Sequence, residues 1–286
     1  MAPLAAVLAT THHPFYYAAT TAPVEKQIPQ AAEWKRKVEA YRETLTQARP
    51  DILVMVGADH FHQFFLDNYP AFLIGKAPRY DATFYNEERE FGIPKYILEG
   101  HEELSRYMHS RLMDKGFDFS SSYELKIDHS IICPIITTRP KADLPIVPIY
   151  TNIFVPPLPS PARFWQLGRA IREIIDEFPS DKRIAAVGSG HLSLELGGPR
   201  QFGESGPDPE FDLKAIKWLS SGNIEAILEN VTLESMARCG NATHGFMDLI
   251  LMMGIAGPIK ADYVDDLDLY HTREAYLTWY PHGATA

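Results

Sequence analysis

Two pairs of closely spaced histidines follow two apolar runs within the first 62 residues. His12 and His13 come after the first run, and His60 and His62 come after the second. Imidazole is the commonest metal ligand among protein side chains, and strand ends hold ligands rigidly enough to fix a coordination geometry. Iron and zinc are the metals that this donor suits well. The spacing therefore predicts a metal site at the ends of two buried strands.

The elements that must position these histidines can be read from the hydrophobic pattern. The runs at residues 4–8 and 52–56 have the length and composition of buried strands, and residues 31–48 repeat apolar side chains at helical spacing. The order is strand, histidine loop, helix, strand, histidine loop. This order is typical of an α/β fold whose functional loops lie at the carboxyl ends of strands.

The rest of the chain also predicts a series of helices and strands. Nothing in its composition marks a linker between domains, so we expect one catalytic domain over residues 1–286. The aromatic segment 64–96 has weak periodicity and predicts a lid or long loop, and the acidic run 262–268 predicts a solvated loop. The pattern predicts strands at 146–150 and 183–187 and helices at 101–115, 161–178, 211–219, 224–229 and 246–253.

Composition restricts the partners. The formal charge of −10 and the isoelectric point near 5.5 argue against nucleic acid or an anionic membrane, because both need a basic face. No run reaches the roughly 18 apolar residues of a membrane span, and the short apolar start lacks the basic flank of a signal peptide. Cys133 and Cys239 form no CxxC or disulfide framework. We expect a cytoplasmic protein with a small-molecule partner.

Eight short motifs occur in order, at compatible spacing, along most of the chain. They are His12-x-Pro14, Asp59-His60, Asp128-His129, the proline-rich stretch 156–159, Glu177-Phe178-Pro179, Gly188-x-Gly190-x-x-Ser193, Gly198-Pro199-Arg200 and Glu210-Phe211-Asp212-Leu213. Together they resemble the class III (LigB-type) extradiol ring-cleavage dioxygenases, relatives of the β subunit of protocatechuate 4,5-dioxygenase. The resemblance implies a LigB-type α/β fold, with a central mixed sheet flanked by helices and a metal site at strand ends.

In that family two histidines and one glutamate bind Fe(II), as a 2-His-1-carboxylate triad with open positions for a catecholate and O₂. The resemblance implies Fe(II) as the cofactor and His12 and His60 as the two histidine ligands. The glutamate position reads as Gly245, which cannot ligate a metal. His244, directly before it, is the candidate third ligand.

Two acidic residues remain open as alternatives to His244. Asp248 lies one helical turn beyond Gly245, and Glu195 follows the motif that contains Ser193. Either carboxylate would restore the charge of the family's ligand set.

A second departure affects the acid catalyst. Family members carry a histidine directly after the serine at Ser193, and this chain has Leu194 there. His191 lies three residues earlier, and in a helix-starting turn that spacing returns an imidazole to nearly the same volume. His191 is therefore the candidate acid that protonates the departing oxygen. His129 matches the family histidine that contacts the substrate hydroxyls and helps to remove their protons.

The resemblance implies an oxidoreductase that uses O₂ to cleave a catechol or related dihydroxylated ring beside its hydroxyls. A divalent-metal hydrolase or lyase on the same scaffold, or a non-catalytic binding protein like the related Memo proteins, remain alternatives. Arg200 could hold a substrate carboxylate or form a structural ion pair, and His271 is expected at the substrate rim or in a structural role. The resemblance implies a homodimer, and some relatives also bind a small accessory subunit.

Overall fold

An eight-stranded mixed β-sheet is the core of the fold, and a separate two-stranded sheet accompanies it. The computed structural model describes residues 4–202, 206–269 and 272–282. Within these residues the strands are β1 (Leu4–Thr11), β2 (Ile52–Gly57), β3 (Phe72–Gly75), β4 (Arg79–Ala82), β5 (Tyr96–Glu99), β6 (Ser120–Ser122), β7 (Ile146–Thr151), β8 (Ile184–Gly190), β9 (Tyr263–Leu269) and β10 (Thr272–Trp279).

Helices cover both faces of the large sheet. They are α1 (Pro14–Thr21), α2 (Ala31–Ala48), α3 (Tyr85–Phe91), α4 (Glu102–Asp114), α5 (His129–Thr138), α6 (Pro161–Glu177), α7 (Pro209–Ser221), α8 (Ile224–Asn230), α9 (Leu233–Cys239) and α10 (Phe246–Ala256), with short 3-10 turns at Val24–Lys26 and Thr243–Gly245. None of the described helices combines the length and the apolar character that a membrane crossing needs.

The strands β7, β2, β8 and β1 are neighbours and run parallel to one another, so their carboxyl ends meet at the same edge. Beyond β1 the sheet continues with the antiparallel strands β10 and β9, and beyond β7 with β3 and β6. Every residue of β1 and of β2 is buried. A strand covered on both faces reads as a continuous apolar run, which is why the sequence shows runs here and not alternation.

Alternate residues of these strands enter two separate cores. Val7 and Val54 pack in one core with helices α4, α6 and α10, whereas Leu8 and Met55 pack in the other with α2 and α5. This two-sided packing confirms the prediction of an α/β fold with a central mixed sheet flanked by helices. The predicted helices and strands outside 64–96 and 262–268 occur close to their predicted bounds.

The prediction of a lid or long loop over residues 64–96 was wrong. This segment contains β3, which joins the main sheet, and then β4, α3 and the start of β5, where β4 and β5 pair in the separate two-stranded sheet. The strands have only four residues each, so their alternation is too brief to stand out from the aromatic and charged residues around them.

The prediction of a solvated acidic loop over 262–268 was also wrong, because this run forms the edge strand β9, which pairs with β10. Its acidic side chains have basic partners. Lys37 of α2 binds Asp265, and Arg273 of β10 binds both Asp266 and Asp268. Acidic residues weaken a strand in isolation, and these partners offset the repulsion between them.

A buried carboxylate joins α2 to β10. Glu274 is almost fully buried, and its Oε2 accepts hydrogen bonds from the indole Nε1 of Trp34 at 2.6 Å and from the hydroxyl of Tyr276. Burial raises the pKa of Glu274 from about 4.5 to about 7, and the two hydrogen bonds offset only part of that effect. The folded protein therefore holds this proton at pH values where the unfolded chain has lost it.

This pKa predicts that Glu274 destabilises the fold as the pH rises. Between the unfolded pKa and about 7 the native state binds the extra proton, so the contribution of Glu274 falls with increasing pH, by up to about 3 kcal/mol in total. We expect the free energy of unfolding of Glu274→Gln, minus that of wild type, to grow by up to this amount between about pH 5 and about pH 8. Urea denaturation measures it, with the exposed Glu225→Gln as control, and parallel pH curves for wild type and Glu274→Gln would contradict it.

Candidate metal and substrate site

Three histidines emerge side by side because three neighbouring parallel strands end together. Thr11, the last residue of β1, pairs with Gly190, the last residue of β8, so the next residues, His12 and His191, leave the sheet as neighbours. Strand β2 lies on the other side of β8, and His60 follows its end. The register of the sheet thus determines which imidazoles meet.

The three rings form one cluster. A ring nitrogen of each of His12, His60 and His191 lies within 4.8 Å of the others, a spacing at which all three could bind one ion. The Nε2 atoms of His12 and His60 are 3.4 Å apart, and the ring centroids of His12 and His191 are 4.3 Å apart. His12 and His191 are buried, and His60 is partly exposed.

Hydrogen bonds determine which nitrogen of His12 carries the proton. The hydroxyl of Ser189 donates its single hydrogen to the carbonyl of Ser130, which can only accept. The oxygen of Ser189, 2.8 Å from Nδ1 of His12, must therefore accept from that ring. The lone pair of His12 is consequently on Nε2, which faces the cluster.

The same reasoning applies to His60. Its Nδ1 lies 2.9 Å from Oδ2 of Asp128, a carboxylate oxygen that also accepts the backbone N–H of His60. Asp128 caps the start of α5, and its other oxygen accepts hydrogen bonds from Ser130 and Tyr150. Burial opposes its ionisation, but the hydrogen bond and charge of His60 hold the pKa of Asp128 below its ordinary value. His60 also presents Nε2 to the cluster.

Two imidazole lone pairs that face each other at 3.4 Å require a positive charge between them, either a proton or a metal ion. Burial, together with the neighbouring imidazoles, holds the pKa values of His12 and His191 well below the ordinary value. Neutral imidazoles are the form that binds metals. A partner carboxylate behind a ligating histidine, as Asp128 is behind His60, is the usual arrangement in metal sites. The residues present therefore fit a divalent transition metal.

A fourth imidazole borders the cluster. His129 begins α5, and its Nδ1 lies 2.7 Å from Oε1 of Glu87, a fully buried carboxylate in α3 that also accepts the backbone N–H of His129. The rings of His129 and His60 have centroids 4.1 Å apart. Burial, and then the charge of His60, lowers the pKa of His129, so its Nε2 is a free base near neutral pH.

His60, His129 and His191 line a cavity of about 150 Å³. Its remaining lining is mainly apolar and includes Phe15 after β1, Phe91 at the end of α3 and Leu194 after β8. Among the described residues that line this cavity, none is a lysine or an arginine. The space offers an aromatic ring an apolar wall on one side and imidazole nitrogens on the other.

The structure does not bring all the predicted site residues together. His244 lies in the 3-10 turn before α10, and its Nε2 is 3.0 Å from the carbonyl oxygen of Leu233, outside the histidine cluster. Glu195 binds the guanidinium of Arg200 and accepts its backbone N–H. The open question about Arg200 is thereby answered in favour of an ion pair. Residue 271 lies outside the described residues.

Asp248 is buried in α10 near the cluster but is not part of it. Its Oδ1 accepts a hydrogen bond of 2.6 Å from the hydroxyl of Thr151, and its Oδ2 has no hydrogen-bond partner among the described residues. Burial raises the pKa of Asp248 to about 7. Near neutral pH the carboxyl group is therefore about half protonated, and it is its position outside the histidine cluster that separates it from the candidate ligands.

Sequence reasoning missed two residues that orient the site. Glu87 holds His129 and Ser189 holds His12, yet neither belongs to a local pattern that distinguishes it from other glutamates and serines. Glu87 lies in the segment that was expected to be a loop. Ser189 belongs to the Gly188-x-Gly190 motif, which forms the end of β8, so its position near a strand end was the available signal.

Comparison with known proteins agrees with this geometry. Residues 6–275 match the model of the LigB family, which is described as the catalytic LigB subunit of aromatic ring-opening dioxygenase. The match covers most of the chain, and the chain belongs to this family.

Curated relatives share part of the sequence. The chain is 30% identical over 191 residues to 2,3-dihydroxyphenylpropionate/2,3-dihydroxicinnamic acid 1,2-dioxygenase from Photorhabdus laumondii, covering 65% of this chain and 57% of that protein. It is 29% identical over 179 residues to the protein of the same name from Rhodococcus globerulus, covering 60% of this chain and 53% of that protein. The chain thus spans about half the length of the curated relatives it matches.

One solved structure resembles the whole chain. The crystal structure of an uncharacterized protein from Escherichia coli K12 superposes with a TM-score of 0.57 over 96% of this chain and 99% of that one. The two sequences are 17% identical, so the likeness shows a shared fold.

The Ser189 hydroxyl predicts a measurable effect on metal binding. In Ser189→Ala, Nδ1 of His12 loses its acceptor and the ring loses its fixed tautomer, so we expect metal affinity to fall by about 10- to 100-fold. Titration of the metal-free protein with Co(II) measures this. Ser193→Ala is the matched control, because that serine is bound to Asp212 and does not contact His12. Equal weakening in both variants would show that Ser189 acts only through general stability.

Proposed function

We propose that this protein binds Fe(II) at the histidine cluster and uses O₂ to open an aromatic ring beside two adjacent hydroxyl groups. The observation that carries the proposal is the cluster of His12, His60 and His129, of which His60 and His129 line an apolar cavity. Membership of the LigB family supports the reaction class. The names of the relatives, which are ring-cleaving 1,2-dioxygenases, support it as well.

His12 and His60 would hold the metal, because both present Nε2 lone pairs toward one point. The bound iron would supply the one-electron chemistry that allows O₂ to react with an organic molecule. The protein's own task is to keep both imidazoles oriented, with Nε2 toward the metal. Ser189 does this for His12 and Asp128 does it for His60.

His129 is suited to act as the general base. Its Nδ1–H is held by Glu87, and Nε2 can take a proton from a substrate hydroxyl. The resulting imidazolium would be stabilised by the carboxylate of Glu87, which in turn is held by the backbone N–H groups of Phe84 and His129. Glu87 thus fixes the ring before the proton moves and compensates its charge afterwards.

The cavity favours a ring with small uncharged substituents. Phe15, Phe91, Leu194 and Leu196 provide apolar surface and exclude water from the imidazoles. A substrate carboxylate would need a cationic partner, and the described lining offers only imidazoles. We therefore expect unsubstituted or alkyl-substituted catechols to react better than carboxylated ones, in contrast to the acids in the names of the relatives.

Three further parts of the proposal, namely the domain organisation, the oligomeric state and the cellular location, rest on the sequence. We propose that residues 1–286 act as one catalytic domain, in a homodimer and in the cytoplasm. Gel filtration with light scattering tests the oligomeric state.

Anaerobic reconstitution with Fe(II), followed by O₂ uptake with a catechol panel, tests the proposed reaction. We expect about one iron per chain and one O₂ consumed per catechol opened, as both oxygen atoms enter the product. His129→Asn should keep the iron and lower the turnover number by roughly 100- to 10,000-fold, because the base is lost. His244→Asn is the matched control and should keep both properties.

Three results would contradict parts of this proposal. Absence of iron binding, or binding without O₂ uptake for any catechol, would exclude the dioxygenase reaction. Loss of iron in His129→Asn would make His129 a ligand and not a base. Zinc binding with hydrolytic turnover would favour a metal hydrolase on this fold.

A further inference from the structure

The strand between those that carry His12 and His60 also ends in a histidine. The carbonyl of Gly190 accepts the backbone N–H of His12, so the chain that continues into His191 lies directly beside the first proposed ligand. The His191 ring is buried, and one of its nitrogens is within 4.8 Å of a nitrogen of both His12 and His60. Only the sheet register is needed to place it there.

Other donors that could complete the ligand set are engaged elsewhere. Nε2 of His244 faces a backbone carbonyl, and Glu195 is bound by Arg200. Asp248 accepts a hydrogen bond from Thr151 through one oxygen, and it does not belong to the cluster that the described residues form around His12 and His60. Within the described residues, the cluster that contains both His12 and His60 has His191 as its third member.

A missing side chain makes room for the His191 ring. A Cβ atom at Gly245 would lie 2.6 Å from Cδ2 of His191, which is closer than real Cβ contacts, and 3.1 Å from the Cβ of His191, which is tighter than most of them. The two segments meet so tightly that a Cβ at Gly190 would also lie 2.1 Å from the carbonyl oxygen of Gly245. His191 therefore fills the space that any side chain at position 245 would occupy.

We propose that His191 is the third metal ligand, so that this protein binds its metal through three neutral imidazoles, with Gly245 as the residue that admits the third. This inference rests on the proposed metal site. Without a carboxylate ligand, the metal keeps its full double charge until an anionic substrate binds. If His191 binds the metal, His129 remains as the imidazole of the described cavity that acts as the general base.

Metal titration of four variants tests the assignment. We expect His191→Ala to bind Co(II) at least about 100-fold more weakly than wild type, as a direct ligand matters more than the residue behind it. Gly245→Ala neither adds nor removes a metal donor. It should still weaken Co(II) binding, because the new Cβ at position 245 displaces the ring of His191. The double variant His191→Ala/Gly245→Glu should recover binding, with a carboxylate in the vacated space and a changed Co(II) visible spectrum. His244→Ala is the control and should match wild type.

The outcomes separate this inference from the proposed function. If wild type binds no metal, the proposed function fails as well. If wild type binds Co(II) and His191→Ala binds it equally well, only the assignment of His191 fails. Loss of binding in Asp248→Asn with retention in His191→Ala would make Asp248 the third ligand. If His191→Ala does not fold by circular dichroism, His191→Phe keeps a ring of similar shape without a donor and gives the same comparison.

Discussion

The arrangement of the site depends on one constraint: several imidazoles are buried close together at the edge where the parallel strands of the sheet end. Strands β1, β8 and β2 are buried on both faces and end at the same edge, so His12, His191 and His60 meet without freedom to turn toward solvent. Desolvation keeps the buried rings neutral, and two Nε2 lone pairs are then held 3.4 Å apart. A positive charge between them relieves this repulsion, which is why the site is suited to a cation.

Two hydrogen-bond acceptors fix the orientation of the His12 and His60 rings. Ser189 and Asp128 each hold the Nδ1–H of one ring, and both connect to Ser130 at the start of α5. The turn that carries His60 is itself fixed, because Oδ2 of Asp59 accepts three consecutive backbone N–H groups. The same α5 terminus carries His129. Metal binding and proton transfer therefore share one rigid support, although they use different rings.

Some of the site could be predicted from sequence and some could not, for physical reasons. His12 and His60 follow apolar runs, and strand ends are recognisable locally. The position of His191 beside His12 depends on strand order, which local patterns do not contain. His244 was chosen for its place in the chain, but successive residues of a 3-10 turn point in different directions, and its ring faces α9.

The elements of the fold also divide into those that could be predicted from the sequence and those that could not. Long elements such as α2 and β1 were predictable, because burial of one face gives α2 a helical period and burial of both faces gives β1 a continuous apolar run. Strand β3, within residues 64–96, forms by pairing with the distant strands β6 and β7, and the acidic β9 is balanced by the cations of Lys37 and Arg273. Glu87 became recognisable only once α3 was placed against α5.

Counting the imidazoles on the metal is the most direct test of this account. X-ray absorption at the metal edge of the anaerobic Fe(II)-loaded wild-type protein distinguishes imidazole from carboxylate ligands without any mutation. The account predicts scattering from three imidazoles and from no protein carboxylate. Two imidazoles with a carboxylate would contradict it and would indicate that an acid such as Asp248 moves to the metal.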